Sequence, residues 1–349
     1  MNDQDYMQLA VNEAWKGLGA TWTNPRVGAV IVKDGQILAR GYHHRFGEPH
    51  AEIDAISHLN SPSDAEGATI YVTLEPCSHY GKTPPCADRL VALGFSRVVI
   101  GQADPNPIVG GKGIDRLTKN GVVVDNLDNT EMVNEAYNFY YRRKRPMVTL
   151  KYAMSLDGKI NQAGDTRTRL SGSQAWEDSQ QLRRLNQAIL VGERTYHVDD
   201  PQLTIREADA KTQPIRIILM RDARHLDLTA KLFQTSAQVW ILTSHRPTAS
   251  LPEFVKVIEK PDWSPVAVIK WLGDQGIQSL LVEGGSHVHA AFVKVGLVDK
   301  LVAYISPFMI GGTGLPAVIG PGNAEMLHFA TPTVQSLGDD IKVTTRRAD

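Results

Sequence analysis

The chain has only two cysteines, Cys77 and Cys86, in 349 residues. A single bridge closing so short a loop would add little to a protein this size. In a reducing compartment, two thiols near a histidine serve as metal ligands or catalysts. The opening segment, Met1 to Gly17, is acidic and amphipathic with no apolar h-region, and no stretch approaches ~20 apolar residues. Neither a secretory leader nor a membrane span is therefore expected, and the expected compartment is the cytoplasm. Charge of one sign is also lacking: 37 Lys and Arg face 38 Asp and Glu. Without a global pull on phosphate backbones, nucleic acid is not an expected partner. Internal repeats, low-complexity tracts and the G-x-G-x-x-G pattern are missing too, so any dinucleotide site must use another fold.

What remains is an ordinary globular composition, 42% apolar and 21% charged, with length enough for two domains. The first half alternates helix and strand. Asp5–Gly17 has helical spacing, Val27–Val32 and Ile37–Ala39 are apolar runs, and Asp34-Gly35 between them signals a hairpin. Ala51–Leu59 reads as a helix, Thr69–Leu74 as a strand, Cys86–Leu93 as a helix stopped by Gly94, and Arg97–Gly101 as a strand. Parallel strands alternating with helices imply a three-layer α/β/α sandwich. At Tyr140–Pro146 a helix ends in four basic residues, Arg142–Arg145, read as a solvated helix end favoured by the macrodipole. The boundary is placed there, giving domains 1–145 and 146–349. The second half has strand candidates at Met147–Tyr152, Ala188–Val191, Ile215–Leu219, Val239–Thr243, Ser279–Val282 and Lys300–Ile305. Its helix candidates are Gln174–Leu185, Ser264–Gln275 and His287–Val295.

His50, Cys77 and Cys86 supply the three protein ligands of a catalytic zinc, which keeps a fourth position open. Two thiolates and a neutral imidazole cancel the charge of Zn²⁺, and the ion lowers the pKa of water to about 7. Cys86 follows Pro84-Pro85 at the first turn of a helix, where amides and dipole favour a thiolate. Glu52, two residues after His50, is placed to move a proton from the water to a leaving amine. The order Pro49-His50-Ala51-Glu52 then Pro76-Cys77 follows the H-x-E…P-C signature of zinc deaminases, with eight residues rather than two before the second cysteine. A structural zinc would need a fourth ligand, for which His79 and Asp54 are the local candidates. Two rivals stay open: a nucleobase or tRNA deaminase with an appended domain, and an inactive zinc-stabilised scaffold.

The long Cys77–Cys86 loop, with Asn24-Pro-Arg-Val-Gly28, Gly41-Tyr-His-His-Arg-Phe-Gly-Glu-Pro-His-Ala-Glu52 and Asp104-Pro-Asn-Pro107, resembles the bifunctional riboflavin-biosynthesis deaminase/reductase family. Met154-Ser-Leu-Asp-Gly-Lys159, Asp199-Asp-Pro-Gln-Leu-Thr-Ile-Arg206 and Val282-Glu-Gly-Gly-Ser286 resemble its reductase motifs, so the resemblance covers essentially the whole chain. It implies a cytidine-deaminase-like α/β/α sandwich followed by a dihydrofolate-reductase-like α/β domain, working with Zn²⁺ and NADPH. The first would deaminate 2,5-diamino-6-ribosylamino-4(3H)-pyrimidinone 5′-phosphate. The second would deliver hydride to C1′ of the opened sugar, giving a ribityl chain. A homodimer fits the family.

The resemblance also implies site residues. Asn24 and His43 would line the pyrimidine pocket; read alone, His43 and His44 are equally an exposed pair at a strand end. Cofactor contacts would be Met154, Arg169, Thr195, Asp199, Arg221 and the turn Gly285, Ser286, His287, Val288, His289, Ala290 and Ala291. Reductase-substrate contacts would be Arg167, Arg183, Leu203, Arg206 and Glu283. Read on their own chemistry, Arg183 and Arg206 suit a 5′-phosphate or a surface salt bridge, and Arg221 after a strand suits the adenosine 2′-phosphate. The turn after Glu283 suits a phosphate on helix amides or a plain tight turn. The chain departs from the family's Ser-x-Trp-Ile-Thr at Arg167-Thr-Arg-Leu-Ser171, where the hydroxyl and the indole are both missing and Arg169 offers a cation–π contact.

Overall fold

The computed structural model describes residues 1–79, 84–164, 167–207, 210, 212–320 and 326–348. The centre of the Cys77–Cys86 loop, residues 80–83, lies outside them. The chain forms two compact units, Met1–Lys144 and Arg145–Asp349.

The first unit begins with helix α1 (Asp3–Trp15), whose start is fixed by a capping box between Asn2 and Asp5. Strands β1 (Gly28–Lys33) and β2 (Gln36–Tyr42) follow as an antiparallel hairpin. Asp34 and Gly35 at its tip have φ of 51° and 75°, the left-handed pair that a tight hairpin turn requires. Then come α2 (Ala51–Ser57), β3 (Thr69–Val72), α3 (Cys86–Ala92), β4 (Arg97–Ile100), α4 (Lys112–Lys119), β5 (Val123–Asn126) and α5 (Glu135–Arg143). The sheet order is β2-β1-β3-β4-β5. β3, β4 and β5 run parallel, and the expected Asp34-Gly35 hairpin is present; β1 is antiparallel to both β2 and β3, so the sheet is mixed rather than wholly parallel. The tight hairpin forces the reversal, since parallel neighbours need a crossover.

β1 is apolar throughout because both of its faces are covered. Ala29 and Ile31 pack with Ala51, Ala55 and Leu90 on one side; Val30 and Val32 pack with Tyr6, Met7 and Ala10 of α1 on the other. These are the three layers of the sandwich.

The second unit holds β6 (Met147–Ser155), β7 (Lys159–Asn161), α6 (Ser173–Arg184), β8 (Ala188–Gly192), α7 (Glu193–Asp199), β9 (Ile215–Leu219), β10 (Val239–Thr243), β11 (Val255–Glu259) and α8 (Pro265–Asp274). After these come β12 (Ser279–Gly284), α9 (Ser286–Lys294), β13 (Lys300–Ser306), β14 (Leu315–Pro316), β15 (Thr333–Leu337) and β16 (Asp340–Arg346). Nine strands form one sheet in the order β11-β10-β9-β8-β12-β6-β13-β16-β15. All neighbours are parallel except the two pairs made by β16. Apolar side chains fill both faces, Val148, Leu190 and Ile217 on one and Ile189, Ile218 and Tyr304 on the other.

The basic run is more than a solvated helix end. Arg145 grips Asp299 with both terminal nitrogens, at 2.6 and 2.7 Å, and Asp299 also accepts from the Val148 amide at 2.9 Å. The pair pins the start of β6. No helix among the described residues is long and apolar enough to cross a membrane.

Candidate active sites

His50 ends the loop after β2 as N-cap of α2, and Glu52 sits in that helix's first turn. Cys86 opens α3, while Cys77 follows the short segment after β3. The His50 Nδ1 lies 3.5 Å from Cys77 Sγ and 3.4 Å from Cys86 Sγ. A tetrahedral zinc with bonds of about 2.3 Å to sulfur and 2.0–2.1 Å to nitrogen sets its ligand atoms about 3.5–3.6 Å apart. Both nitrogen–sulfur sides have that spacing already.

The donor chemistry agrees. Cys77 is held down to about 4 by its hydrogen bonds with Cys86 and His50, against the opposing effect of burial. Cys86 is pushed well above the usual thiol range by the same contact and by burial. His50 is raised to about 9, mainly by Cys77. Donors so close share protons, which a divalent cation replaces. Among the described residues no fourth His, Cys, Asp or Glu joins the group. Asp54 is occupied elsewhere, accepting from the Tyr42 amide and contacting His44. The set therefore has the three-ligand form of a catalytic site.

A pocket of about 300 Å³ opens over the group, lined by Asn24, His43, His50, Glu52 and Cys77 among others. Glu52 is 3% exposed, and burial raises its carboxyl to about 7, where a group can both take and give a proton near neutrality. His43 is not the exposed partner of His44, since its ring is 2% exposed. Its Nδ1 donates to the Pro49 carbonyl at 2.9 Å, leaving Nε2 to accept from Asn24 Nδ2 at 3.2 Å.

Two pocket residues have roles that the motifs alone did not assign. Glu75 accepts four backbone N–H groups, from Asp104 and Gly111 on one oxygen and from Gly113 and Ile114 on the other, at 2.9–3.2 Å. Gly113 has to be glycine, because a Cβ there would stand 2.0 Å from the Pro76 carbonyl oxygen. Asp104, brought into the pocket by that loop, is raised to about 6 by burial while Tyr137 donates to it at 2.9 Å.

In the second unit a cavity of about 770 Å³ lies beyond the carboxyl ends of β8, β9 and β12, where open α/β sheets take their ligands. It gathers Arg167, Arg169, Thr195, Asp199, Arg221, Glu283 and residues 285–289. Helices α7 and α9 both begin at this wall on glycine N-caps, Gly192 and Gly285, with no side-chain cap on their first amides. The backbone there is open to close approach only because side chains are absent. A Cβ on Gly192 would meet Val288 at 2.6 Å, and one on Gly285 would meet Thr195 Oγ1 at 2.9 Å. His289 donates from Nδ1 to the Ala317 carbonyl at 2.9 Å, and its buried Nε2 has no partner among the described residues. Burial holds the ring down to about 4, so this nitrogen is an acceptor at neutral pH. Open helix amides, an orphan acceptor and several arginines fit a phosphorylated dinucleotide.

Other expected residues sit apart from the cavity lining. Met154 lies near the end of β6, and Ala290 and Ala291 lie deeper in α9. Leu203 is 2% exposed within the core with φ of 57°, so only its backbone is available to a ligand. Arg183 binds Glu283 with two nitrogens at 2.9 and 2.7 Å, and its Nη1 donates to the Thr204 carbonyl. Burial pushes the Glu283 carboxyl up, but Arg183 and Lys151 outweigh it and hold the group at about 2. Lys151 and Trp176 line the cavity without having been singled out. Burial pulls the Lys151 ammonium down, a perturbation no strand pattern reveals.

Against known families, residues 146–343 match the RibD C-terminal domain, and residues 1–102 match the cytidine and deoxycytidylate deaminase zinc-binding region. The riboflavin biosynthesis protein RibD of Bacillus amyloliquefaciens is 41% identical over 98% of this chain and 95% of its own length. The chain belongs to the RibD family. The Escherichia coli RibD is 37% identical, with 98% of each chain covered. A solved Acinetobacter baumannii RibD aligns over 99% of each chain with a TM-score of 0.91 and 34% identity. A Thermotoga maritima structure, described as a diaminohydroxyphosphoribosylaminopyrimidine deaminase/5-amino-6-(5-phosphoribosylamino)uracil reductase, aligns equally fully at 0.90 and 34%. As a RibD protein this chain is a bifunctional deaminase and reductase of riboflavin biosynthesis, with Zn²⁺ and NADPH as cofactors. The nucleobase-deaminase and inactive-scaffold alternatives fall away.

Proposed function

We propose that residues 1–145 deaminate 2,5-diamino-6-ribosylamino-4(3H)-pyrimidinone 5′-phosphate and that residues 146–349 reduce the ribosyl chain of the product. The observation that carries this is the His50, Cys77 and Cys86 triangle at zinc-ligand spacing beneath a pocket holding a buried carboxyl. The three residues hold the zinc, which when bound lowers the pKa of water to about 7. Glu52 takes the proton from the attacking water and passes it to the departing amine, a transfer suited to a carboxyl near 7. Asn24 and His43, locked to each other and to Pro49, orient the pyrimidine. Water displaced from this pocket by the substrate is replaced by the fixed dipoles of these groups.

In the second unit NADPH supplies the hydride when bound. The α9 amides at Gly285–Val288, with Thr195, Asp199, Arg169 and His289, are the residues proposed to hold it; Arg167 and Glu283 of the lining, with Arg183 paired to Glu283 and with Arg206, are proposed to contact the substrate. Arg221, just beyond β9, has no ion-pair partner among the described residues and is proposed to select the 2′-phosphate. Arg221→Ala is expected to weaken NADPH by about tenfold or more, on the scale of a charge-assisted phosphate contact, while NADH affinity stays within a factor of two. Fluorescence titration with both nucleotides measures this, and equal weakening refutes the contact. The protein is further proposed to work in the cytoplasm as a homodimer; family likeness supports this part. The function itself is tested on purified protein given the diaminopyrimidine phosphate, following ammonia release and NADPH absorbance. Ammonia should appear first and NADPH oxidation should depend on it.

A further inference from the structure

Helix α6 turns Trp176, Gln180 and Arg183, at i, i+4 and i+7, toward the segment Leu203–Arg206. Arg183 Nη1 donates to the Thr204 carbonyl at 2.7 Å, and Gln180 Oε1 accepts from the Arg206 amide at 3.2 Å. Above them the Arg206 guanidinium lies 5.0 Å from the centroid of the Trp176 ring. Trp176 itself lines the reductase cavity, as does Arg167.

Arg206 is exposed, and its guanidinium has no carboxylate at ion-pair distance among the described residues. The acid next to it in sequence is already engaged. Glu207 forms an ion pair with Arg184, Oε2 to Nε at 2.5 Å, and accepts from Gln181 Nε2 at 2.9 Å. Glu283, the cavity acid that acts on Arg206, is paired with Arg183. Arg183 and Arg167 act on Arg206 with Glu283 opposing them, so three arginines share one carboxylate here. A carboxylate partner would neutralise Arg206 and compete with an incoming anion. An aromatic face orients the guanidinium while leaving its charge and its in-plane N–H groups free.

We propose that Trp176 is a positioning residue for the reduction, its indole holding the Arg206 guanidinium at the cavity rim to receive the 5′-phosphate of the deaminated nucleotide. This rests on the assignment of Arg206 as a substrate contact.

The test uses the full-length enzyme, with NADPH oxidation followed on 5-amino-6-(5-phosphoribosylamino)uracil and on the same compound lacking its phosphate. Trp176→Leu is expected to raise KM for the phosphorylated substrate about tenfold, the size of a partly desolvated cation–π contact. Its kcat and NADPH Kd should stay within a factor of two, and kcat/KM for the dephosphorylated compound should not change. Trp176→Phe, which keeps a ring, should recover most of the loss. Equal losses on both substrates, or no change on either, overturn the proposal. Arg206→Met separates the two layers of inference. If it leaves KM unchanged, the assignment of Arg206 fails and the proposal fails with it; if it raises KM while Trp176→Leu does not, the role of Trp176 alone is overturned.

Discussion

Glu52→Gln is expected to leave zinc content and NADPH-dependent reduction at the wild-type level while cutting deamination about 10²–10⁴-fold, the usual contribution of a positioned acid–base group. The amide fits the same 3%-exposed site but can neither take nor release a proton at neutral pH. The loss should therefore fall on kcat. Burial, the largest influence on Glu52, is what brings its carboxyl to about 7. Asp104, the other carboxyl of the pocket that burial raises, is tied to Tyr137 and to the Asn106 amide. Ammonia release at saturating substrate, with metal content measured on the same sample, decides the matter. Turnover that survives the change would remove Glu52 from the proton path.

The second large effect is expected from Cys77→Ser. Serine keeps the size of the side chain but is not a thiolate, and the Cys86 amide, now 3.4 Å from sulfur, would face a neutral hydroxyl. Losing a direct ligand should weaken zinc retention by more than the 10–100-fold seen when only an outer partner of a ligand is removed. Deamination should disappear with the metal. Reduction should persist, since the cavity that serves it is built from Arg145–Asp349. Zinc per chain after dialysis and NADPH oxidation on already deaminated substrate are the two measurements. Collapse of both activities would mean that the two units do not function independently.

How much of this could be read beforehand depended on how local each signal was. The buried strands announce themselves because two-sided packing makes them continuously apolar; Ile215–Leu219 and Val239–Thr243 match their expected limits residue for residue. Helix α7 gave no such sign, for only Tyr196 of its seven residues is buried and no apolar stripe forms. Strand β15 is exposed along most of its length and takes its structure from pairing with β16. The zinc ligands were legible because three side chains with an unmistakable chemistry carry the whole site. Glu75 was not, since its four partners lie 29–39 residues further along and are backbone groups of no special type. Lys151 hides in the alternation of a strand, and the stacking of Trp176 beneath Arg206 spans a separation that no periodicity links.

The anchoring of Glu75 also bears on how the pyrimidine can enter. Its neighbours Pro76 and Cys77 belong to the zinc grip, while its carboxylate fastens the stretch that carries Asp104 and Asn106. The strand end that leads into the zinc grip and the stretch with Asp104 are thus joined through one residue. Neither can swing away without unfastening four amides from a buried charge, so this half of the rim behaves as a fixed jaw. Any widening that admits substrate has to come from the opposite side, where Phe46 is half exposed and Glu48 lines the mouth.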